Sequence, residues 1–388
     1  MIIASGAITM RDIAARLDAS GEKFDSTAIN IVAEKNPLIG LMPMKEANDG
    51  SSNKTTYKVA LPSSAEFRGY REGVKPSKGG VTHVRNTAAH MDATLEISQR
   101  EYDEAPDVAA FLRDHADDVT EDMVQKMSNE LIYGSIAKNV RGFNGFFAHQ
   151  SACGASIGSV SGTSLRWTPQ GKHAYDPKHP EYYIFDFGGS FSTTAANVTA
   201  NGEWTNLIPE TTRGSAHPDL IRSIGLVGLG NRQVCGFYPR GTHAGIKKGQ
   251  FKQHETLLDA DGGKYEGCIQ FLSWDFGLDI PDWRYVCWGR NLDLSALEQR
   301  GCEYFVIEFL SKMKSRIGEG NQNGARFVWS MSLPVWDAIQ SVFYRATMGN
   351  ACTVQELQGF GMTPSLWNVP VCIQDSMNRA EEVLGVAS

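Results

Sequence analysis

Long apolar runs are missing from this sequence of 388 residues. No stretch approaches the roughly 20 uninterrupted apolar residues that a membrane-spanning helix needs, so we expect no contact with a membrane. The N-terminus also lacks a basic segment followed by a long apolar one, so no secretory signal is expected. Hydrophobic residues still make up 41% of the chain, which is enough for a sizeable core. We therefore expect a soluble protein with one large domain plus appendages, or with two to three domains.

Paired cysteines and ligand motifs are also missing. The seven cysteines are scattered and form no Cys-x-x-Cys, which argues against a disulfide framework and for folding in a reducing compartment. His149 and Cys153 have helical spacing, but no second pair of metal ligands lies near them in the sequence. Gly225, Gly228 and Gly230 are in the wrong order for a dinucleotide loop, and no Gly-Lys-Ser/Thr phosphate loop occurs. We predict neither a metal nor a cofactor.

The sequence also lacks an excess of basic residues. Lysine and arginine number 37 against 44 aspartates and glutamates, which gives a net charge of −7. Tight binding of nucleic acid needs a basic surface that displaces counterions, so this composition does not favour a DNA-binding protein.

The most informative segment is 50–98. Alternating apolar residues predict a strand at each of its ends, over 57–61 and 91–97. Between them lie about thirty residues rich in glycine and charge, and a loop of that length is usually functional or disordered. A two-stranded hairpin alone is marginal in water, and each strand has an apolar face that needs cover. We expect another copy of the chain to supply it, so the segment is interpreted as an arm that lies on a neighbour.

The segments on either side of this arm are predicted to be helical. Residues 7–45 form short pieces, with a capping box at Thr9–Asp12 and a stop at Asn36-Pro37. One long helix of roughly 40 Å is predicted over 106–133, with an apolar stripe and an acidic face over 114–122. The stripe consists of Val108, Phe111, Leu112, His115, Val119, Met123, Met127 and Leu131. A hydrated face explains the acidic residues better than a Mg²⁺ or Ca²⁺ site does.

The rest of the chain consists of two regions that differ in composition. Residues 151–215 are rich in Ser, Gly, Thr and Asn but carry aromatics that a flexible linker lacks, so we predict a β-leaning surface insertion. From 216 onward strands and helices mix without a strict βαβ rhythm, which indicates an α+β fold. The strands are predicted at 224–229, 233–238, 283–288, 326–331 and 369–373, the helices at 297–317 and 333–343, and a hairpin turn at Asp261-Gly262.

One motif suggests an enzyme. Gly154-Ala155-Ser156-Ile157-Gly158 matches the Gly-x-Ser-x-Gly pattern of serine hydrolases. That chemistry needs a strand before the serine and a helix after it, whereas the flanks here are rich in Ser and Gly. A hydrolase using Ser156 stays a minor alternative, and we predict no catalytic residue.

A series of short segments matches a known family in order along the chain. They are 8–18, Asn36-Pro37-Leu38-Ile39, Glu46-Ala47-Asn48, Leu61-Pro62, Phe67-Arg68, 73–78, 236–245, 282–286, 290–293 and 368–377. Together they resemble the major capsid proteins of tailed bacteriophages. The resemblance runs from about residue 8 to 383.

The resemblance implies the Hong-Kong-97-type capsid fold. Residues 1–49 would be an N-terminal arm, 50–98 the extended loop, and 99–150 the peripheral domain with a long spine helix. Residues 151–215 depart from the family and would be the insertion. Residues 216–388 would be the axial domain, interleaved with the remaining strands of the peripheral domain.

The resemblance also implies function and partners. Hexamers and pentamers of the chain would form an icosahedral shell around a double-stranded DNA genome in the virion, after assembly in the cytoplasm of a bacterial host. A separate scaffolding protein, a portal and a cement or decoration protein are the implied partners. A nanocompartment shell of the encapsulin type stays an alternative. The expected contacts between subunits are the charged residues of the loop: Glu66, Arg68, Arg71, Glu72, Lys75 and Lys78.

Overall fold

In a computed structural model, the chain forms two compact units. The described residues are 8–20, 29, 31–32, 34, 36–60, 67–73, 80–148, 184–186, 221–242, 244–259, 261–281, 285–294, 297, 303–317, 325–357, 361–379 and 381. The first unit comprises Met1–Asn53, Asn86–Phe146 and Cys235–Asp279, and the second comprises Lys54–Arg85, Phe147–Val234 and Ile280–Ser388.

The first unit is a six-stranded sheet with helices. Its elements are α1 (Met10–Ser20), α2 (Pro37–Leu41), β1 (Met44–Glu46), β4 (Ala89–Ser98), α3 (Gln99–Glu104), α4 (Val108–Tyr133), β7 (Cys235–Tyr238), β8 (Ile246–Lys248), β9 (Lys252–Leu258) and β10 (Lys264–Asp279). Strand β10 pairs antiparallel with β4, β7, β8 and β9, and β1 pairs parallel with β7. Every strand of this sheet except β1 therefore pairs directly with β10.

The core of the first unit follows from the alternation along β10. Leu272, Trp274, Phe276 and Leu278 are buried, since alternate residues of a strand face the same side. The ring centroid of Phe276 lies 5.6 Å from that of Phe143. The predicted Asp-Gly turn between β9 and β10 is confirmed, because Gly262 has φ +81° and its N–H donates to the Asp259 carbonyl at 2.9 Å.

The N-terminal helices of this unit begin at the predicted signals. The capping box is confirmed: the Thr9 N–H donates to Asp12 Oδ2 at 2.9 Å, and the Asp12 N–H donates to Thr9 Oγ1 at 3.4 Å. Asn36 caps α2 by accepting the Ile39 N–H at 3.1 Å, and its Nδ2 donates to Ser128 of α4. The N-terminal segment is thereby tied to the long helix.

Helix α4 confirms the predicted long helix, with its start shifted by two residues. It runs from Val108 to Tyr133, and Met123, Met127 and Leu131 of the apolar stripe are buried. The stripe residues nearer its N-terminus are only half-buried. Within the described part of the chain, no helix combines the length and the apolar composition that crossing a membrane takes.

The two strands predicted for the loop do not pair with each other. Strand β2 (Ser52–Ala60) pairs with β3 (Gly80–Thr87), which was not predicted. The alternation over 91–97 is confirmed as β4, but β4 pairs with β10 of the same chain, from Ala89 opposite Phe276 to Ser98 opposite Gly267. Leu95 and Ile97 are buried there. The expectation that this strand needs another copy for cover is wrong.

The second unit contains a seven-stranded sheet in the order β13-β14-β15-β12-β6-β11-β5. Its strands are β5 (Ile184–Asp186), β6 (Ile221–Leu229), β11 (Val286–Asp293), β12 (Arg326–Met331), β13 (Cys352–Leu357), β14 (Gly361–Leu366) and β15 (Val369–Ile373). Helices α5 (Glu303–Ile317) and α6 (Leu333–Arg345) pack on it, and the core includes Leu226, Leu310, Trp329 and Phe343.

Several predicted strands of this unit lie among its described residues. The strands at 326–331 and 369–373 are confirmed at both ends, whereas the strand expected at 283–288 begins at Val286 and continues to Asp293. The hairpin of β13 and β14 was not predicted. A two-residue turn, Trp367-Asn368, joins β14 to β15, and both residues have positive φ, as a tight hairpin turn requires.

Candidate assembly site

The tip of the loop, defined here as Phe67–Gly73, is a short turn held together by Glu72. Its carboxylate Oε2 accepts the Gly69 N–H at 2.9 Å, and its own N–H donates to the Gly69 carbonyl at 3.2 Å. Arg68 Nη1 donates to the Glu72 carbonyl at 3.4 Å. Glu72 is therefore used in shaping the turn, while all seven residues of the tip are exposed.

Two aromatic side chains of the tip are fully exposed in the single subunit. Phe67 and Tyr70 are 109% and 111% exposed, so neither ring is covered by the part of the chain that the structure describes. Exposed large apolar groups beside charged ones are typical of a protein–protein contact. Tyr70 carries no signal of its own in the sequence beyond its place in a charged, glycine-rich loop.

The predicted contact residues fall partly within this tip. Arg68, Arg71 and Glu72 are together in it and exposed. Glu66, Lys75 and Lys78 lie outside the described residues. Contact between subunits through these six residues stays a prediction.

At the other end of the loop is its root, where β2 begins and β3 ends. The buried carboxylate of Asp279 holds the root in place. Asp279 ends β10 and is fully buried. Its Oδ2 accepts from Lys45 Nζ at 2.5 Å and from Asn53 Nδ2 at 2.7 Å, and its Oδ1 accepts from Asn86 Nδ2 at 2.8 Å. Asn53 is the second residue of β2 and Asn86 the last but one of β3. We call these four residues the root cluster; all of them belong to the first unit.

Backbone hydrogen bonds also join the two sides of the root. The Ala88 N–H donates to the Ser51 carbonyl at 3.0 Å, just outside the two loop strands. A turn precedes β2, in which Asp49 and Ser52 exchange backbone hydrogen bonds at 3.0 and 2.9 Å around Gly50 at φ +62°. The start of β2 and the end of β3 are thus fixed by hydrogen bonds of both side chains and main chain.

The electrostatics of the root cluster favour a lysine–aspartate ion pair. Burial acts to lower the pKa of Lys45, but an anionic partner, either Cys235 or Asp279, acts more strongly in the other direction, and the pKa is raised. Burial raises the pKa of the Cys235 thiol to about 12, so this thiol is neutral at pH 7. The anion that faces the Lys45 ammonium is therefore Asp279.

Sequence reasoning missed the root cluster. Asp279 stands in the apolar run Phe276-Gly277-Leu278-Asp279-Ile280, and a charged residue in such a run usually has a buried partner. That signal could have drawn attention to Asp279. Nothing in the sequence points to Lys45, Asn53 and Asn86 as its donors, because they lie 193 to 234 residues away.

The other residues weighed from the sequence do not add a site. The acidic face of α4 has Asp114, Asp118 and Asp122 exposed, and Asp122 pairs with Lys126 at 2.6 Å. Ser156 lies outside the described residues. Among the residues that are described, no three His, Cys, Asp or Glu side chains are grouped so that they could hold a metal ion.

Comparison with known families gives one extensive match. A family model described as Major capsid protein GP7 matches residues 19–160 and 197–385, which is most of the chain. The match omits 161–196, a stretch inside the segment predicted to be an insertion. No curated protein sequence matches the chain.

Solved structures give the fold. A chain of the near-atomic cryo-EM structure of bacteriophage Epsilon15 matches with a TM-score of 0.53 and 16% identity, over 89% of this chain and 88% of that one. The SrpI encapsulin of Synechococcus elongatus matches with a TM-score of 0.35 and 10% identity, over 66% of this chain and 87% of that one. A score of that size supports no conclusion, so the nanocompartment alternative gains nothing from it.

The order of elements, the long helix and the paired loop strands agree with the fold that the resemblance implied. The family match covers both units and the loop between β2 and β3. The chain has the Hong-Kong-97-type fold and belongs to the Major capsid protein GP7 family of tailed-phage shell proteins.

Proposed function

We propose that the loop tip, Phe67–Gly73, binds a neighbouring copy of the chain within the shell that this major capsid protein forms. The exposure of Phe67 and Tyr70 is the observation that carries the proposal. Burying a large apolar side chain contributes about 1.5–3 kcal/mol, so two rings give a modest contact. Modest contacts are sufficient in a shell, since many of them act together.

The charged residues of the tip have a separate role in this proposal. Arg68 and Arg71 flank Tyr70, and pairs between such exposed charges contribute little free energy because solvent screens them. They select the partner and fix the register of the contact. Glu66, Lys75 and Lys78 belong to the same proposed contact.

The test removes the two rings without changing the backbone. Phe67→Ser and Tyr70→Ser are combined in the full chain, and Val140→Ser, at an 85% exposed apolar residue of the first unit, is the matched control. Gel filtration and negative-stain microscopy separate a 42.6 kDa subunit from a closed shell. We expect the double variant to stay a folded subunit and the control to form shells. Normal shells from the double variant would refute the proposal.

We further propose how the shell is organised. Hexamers and pentamers would make up an icosahedral shell around double-stranded DNA, with the exposed acidic face of α4 towards the lumen, where its charge would repel the packaged DNA. A density map that places Asp114, Asp118 and Asp122 on the outer surface would contradict the orientation. The family and the net charge of −7 support this arrangement.

We also propose domain boundaries, partners and a role without catalysis for the chain. The proposed domains are an arm over 1–49, a loop over 50–98, a peripheral domain over 99–150, an insertion over 151–215, and an axial domain over 216–388 interleaved with the remaining peripheral strands. The omission of 161–196 from the family match supports the insertion. A scaffolding protein, a portal and a cement protein are the proposed partners, and the host cytoplasm is the proposed place of assembly. The chain would act by packing alone, so Ser156→Ala should leave shell formation unchanged.

A further inference from the structure

The root cluster gathers three hydrogen-bond donors around one buried carboxylate. Its carboxylate accepts from donors on three strands, β1, β2 and β3. Replacing a buried ion pair with well-packed apolar residues is often neutral or stabilising, so stability alone does not explain such a group. Buried polar groups have their best-attested use in fixing register and orientation.

We infer that Asp279 is a positioning residue for shell assembly, which fixes the start of β2 and the end of β3 against the end of β10. The inference rests on the proposed function of the loop tip. A carboxylate suits this role because it only accepts hydrogen bonds and offers about four acceptor positions on two oxygens. One aspartate can therefore hold the start of β2 and the end of β3 at once.

The geometry restrains the loop at both of its strands. Asn53 bonds to one carboxylate oxygen and Asn86 to the other, so a rotation of either strand about its axis breaks a bond. Lys45 shares Oδ2 with Asn53 and fixes the carboxylate itself from β1. Both asparagines are buried, so water does not replace a lost bond without cost.

A loop with this function needs such a restraint. Two strands alone form a marginal structure, and a small angular error at the root becomes a larger displacement further along the strands. Strand β2 has nine residues, which at about 3.3 Å per residue extend over roughly 30 Å. The tip contact of one subunit with the next therefore depends on how its root is held.

The test compares two buried asparagines of the same unit. Asn86→Ala removes a donor to Asp279, whereas Asn36→Ala removes the bond to Ser128 and the cap of α2 and leaves the root cluster intact. Both variants lose buried hydrogen bonds and should melt at lower temperature than the wild type. Melting is measured first, and assembly is then compared at a temperature at which both variants are fully folded.

We expect the yield of closed shells of normal diameter, counted by electron microscopy, to fall at least about tenfold for Asn86→Ala, the change that about 1.4 kcal/mol per contact produces. Asn36→Ala should assemble at nearly the wild-type yield. Should Asn86→Ala not fold, Asn53→Ser, which shortens the donor on β2, replaces it in the same comparison. Equal yields from the root and control variants would overturn the inference.

The loop-tip variants distinguish this inference from the proposed function. If Phe67→Ser with Tyr70→Ser forms normal shells, the proposed function of the tip is wrong. If that variant fails to assemble while Asn86→Ala and Asn53→Ser match Asn36→Ala, only the positioning role of Asp279 is wrong.

Discussion

At the root of the loop three side chains donate to one fully buried carboxylate, whereas at its tip two aromatic rings lie completely in solvent. The root is complete within one subunit, because its donors and its acceptor come from the same chain. At the tip, the two rings are exposed in the single subunit, and cover for them from a neighbouring copy is what we propose. Substitutions at the root should therefore change the stability of the subunit, whereas substitutions at the tip should leave that stability unchanged.

The largest effect on subunit stability is expected from Lys45→Met. It leaves the buried Asp279 carboxylate without its counter-ion, and breaking a buried pair from one side costs about 3–5 kcal/mol. Urea denaturation at pH 7 gives the free energy of unfolding. Lys126→Met is the control, because Lys126 pairs with exposed Asp122 and should lose less than about 1 kcal/mol. Equal losses would mean that the root pair is no stronger than a surface pair.

A smaller effect is expected from Asn53→Ala. It removes one donor and leaves the rest of the root cluster, so the cost should be about 1–3 kcal/mol in the same denaturation experiment. Thr56→Ala, three residues along β2, is the control: Thr56 is exposed, with Oγ1 2.9 Å from His83 Nδ1, and its loss should change stability by about 0.5 kcal/mol or less. A neutral Asn53→Ala would show that the bond to Asp279 contributes nothing.

A pH-dependent effect of at most about 1 kcal/mol is expected at His90, on β4, since its imidazole is largely exposed and solvent screens the charges around it. The hydrogen bond to Asp275 is the largest cause of a raised pKa, Asp275 and Asp92 add attraction, and burial and Lys247 oppose it. Because the folded pKa is above the unfolded value of about 6.5, the stabilisation is complete below that pH and is lost as pH rises through the folded pKa.

The corresponding variant is His90→Gln. Thermal melting of the variant and the wild type is compared from pH 5.5 to 9. The difference between them should be greatest at the acidic end and shrink towards pH 9. A difference that grows with pH would contradict the direction of the pKa shift.

The smallest effect on the subunit is expected at the tip. Phe67→Ser alone should change the free energy of unfolding by no more than about 0.5 kcal/mol, because the ring is exposed in the folded subunit as it is in the unfolded chain. Its effect should appear only in assembly. A clear loss of subunit stability would show that the ring has cover within its own chain.

The sequence predicted the parts of the fold that depend on local pattern. The α4 stripe, the Thr9–Asp12 capping box and the Asp261-Gly262 turn each rest on residues close together in the chain, and all three are confirmed. Pairing between distant strands has no such local signal. For that reason the sequence did not reveal that β4 pairs with β10, which begins more than 160 residues later.

The candidate site, too, was only partly predictable from the sequence. The charged, glycine-rich composition of the tip is visible in the sequence, and Arg68, Arg71 and Glu72 were predicted from it. Use of the Glu72 carboxylate to close the turn is a matter of backbone geometry, which composition does not reveal. The root cluster needs four segments to meet, so the sequence contains only the isolated charge of Asp279 as a sign of it.

Strand β10 also has a mechanical consequence. It runs for 16 residues, pairs with four other strands and ends at the residue that holds both loop strands. A pull on Asn53 or Asn86 therefore passes through Asp279 into a backbone that shares the load among all four of its partners. Force applied at the root is thus distributed over the six-stranded sheet of the first unit.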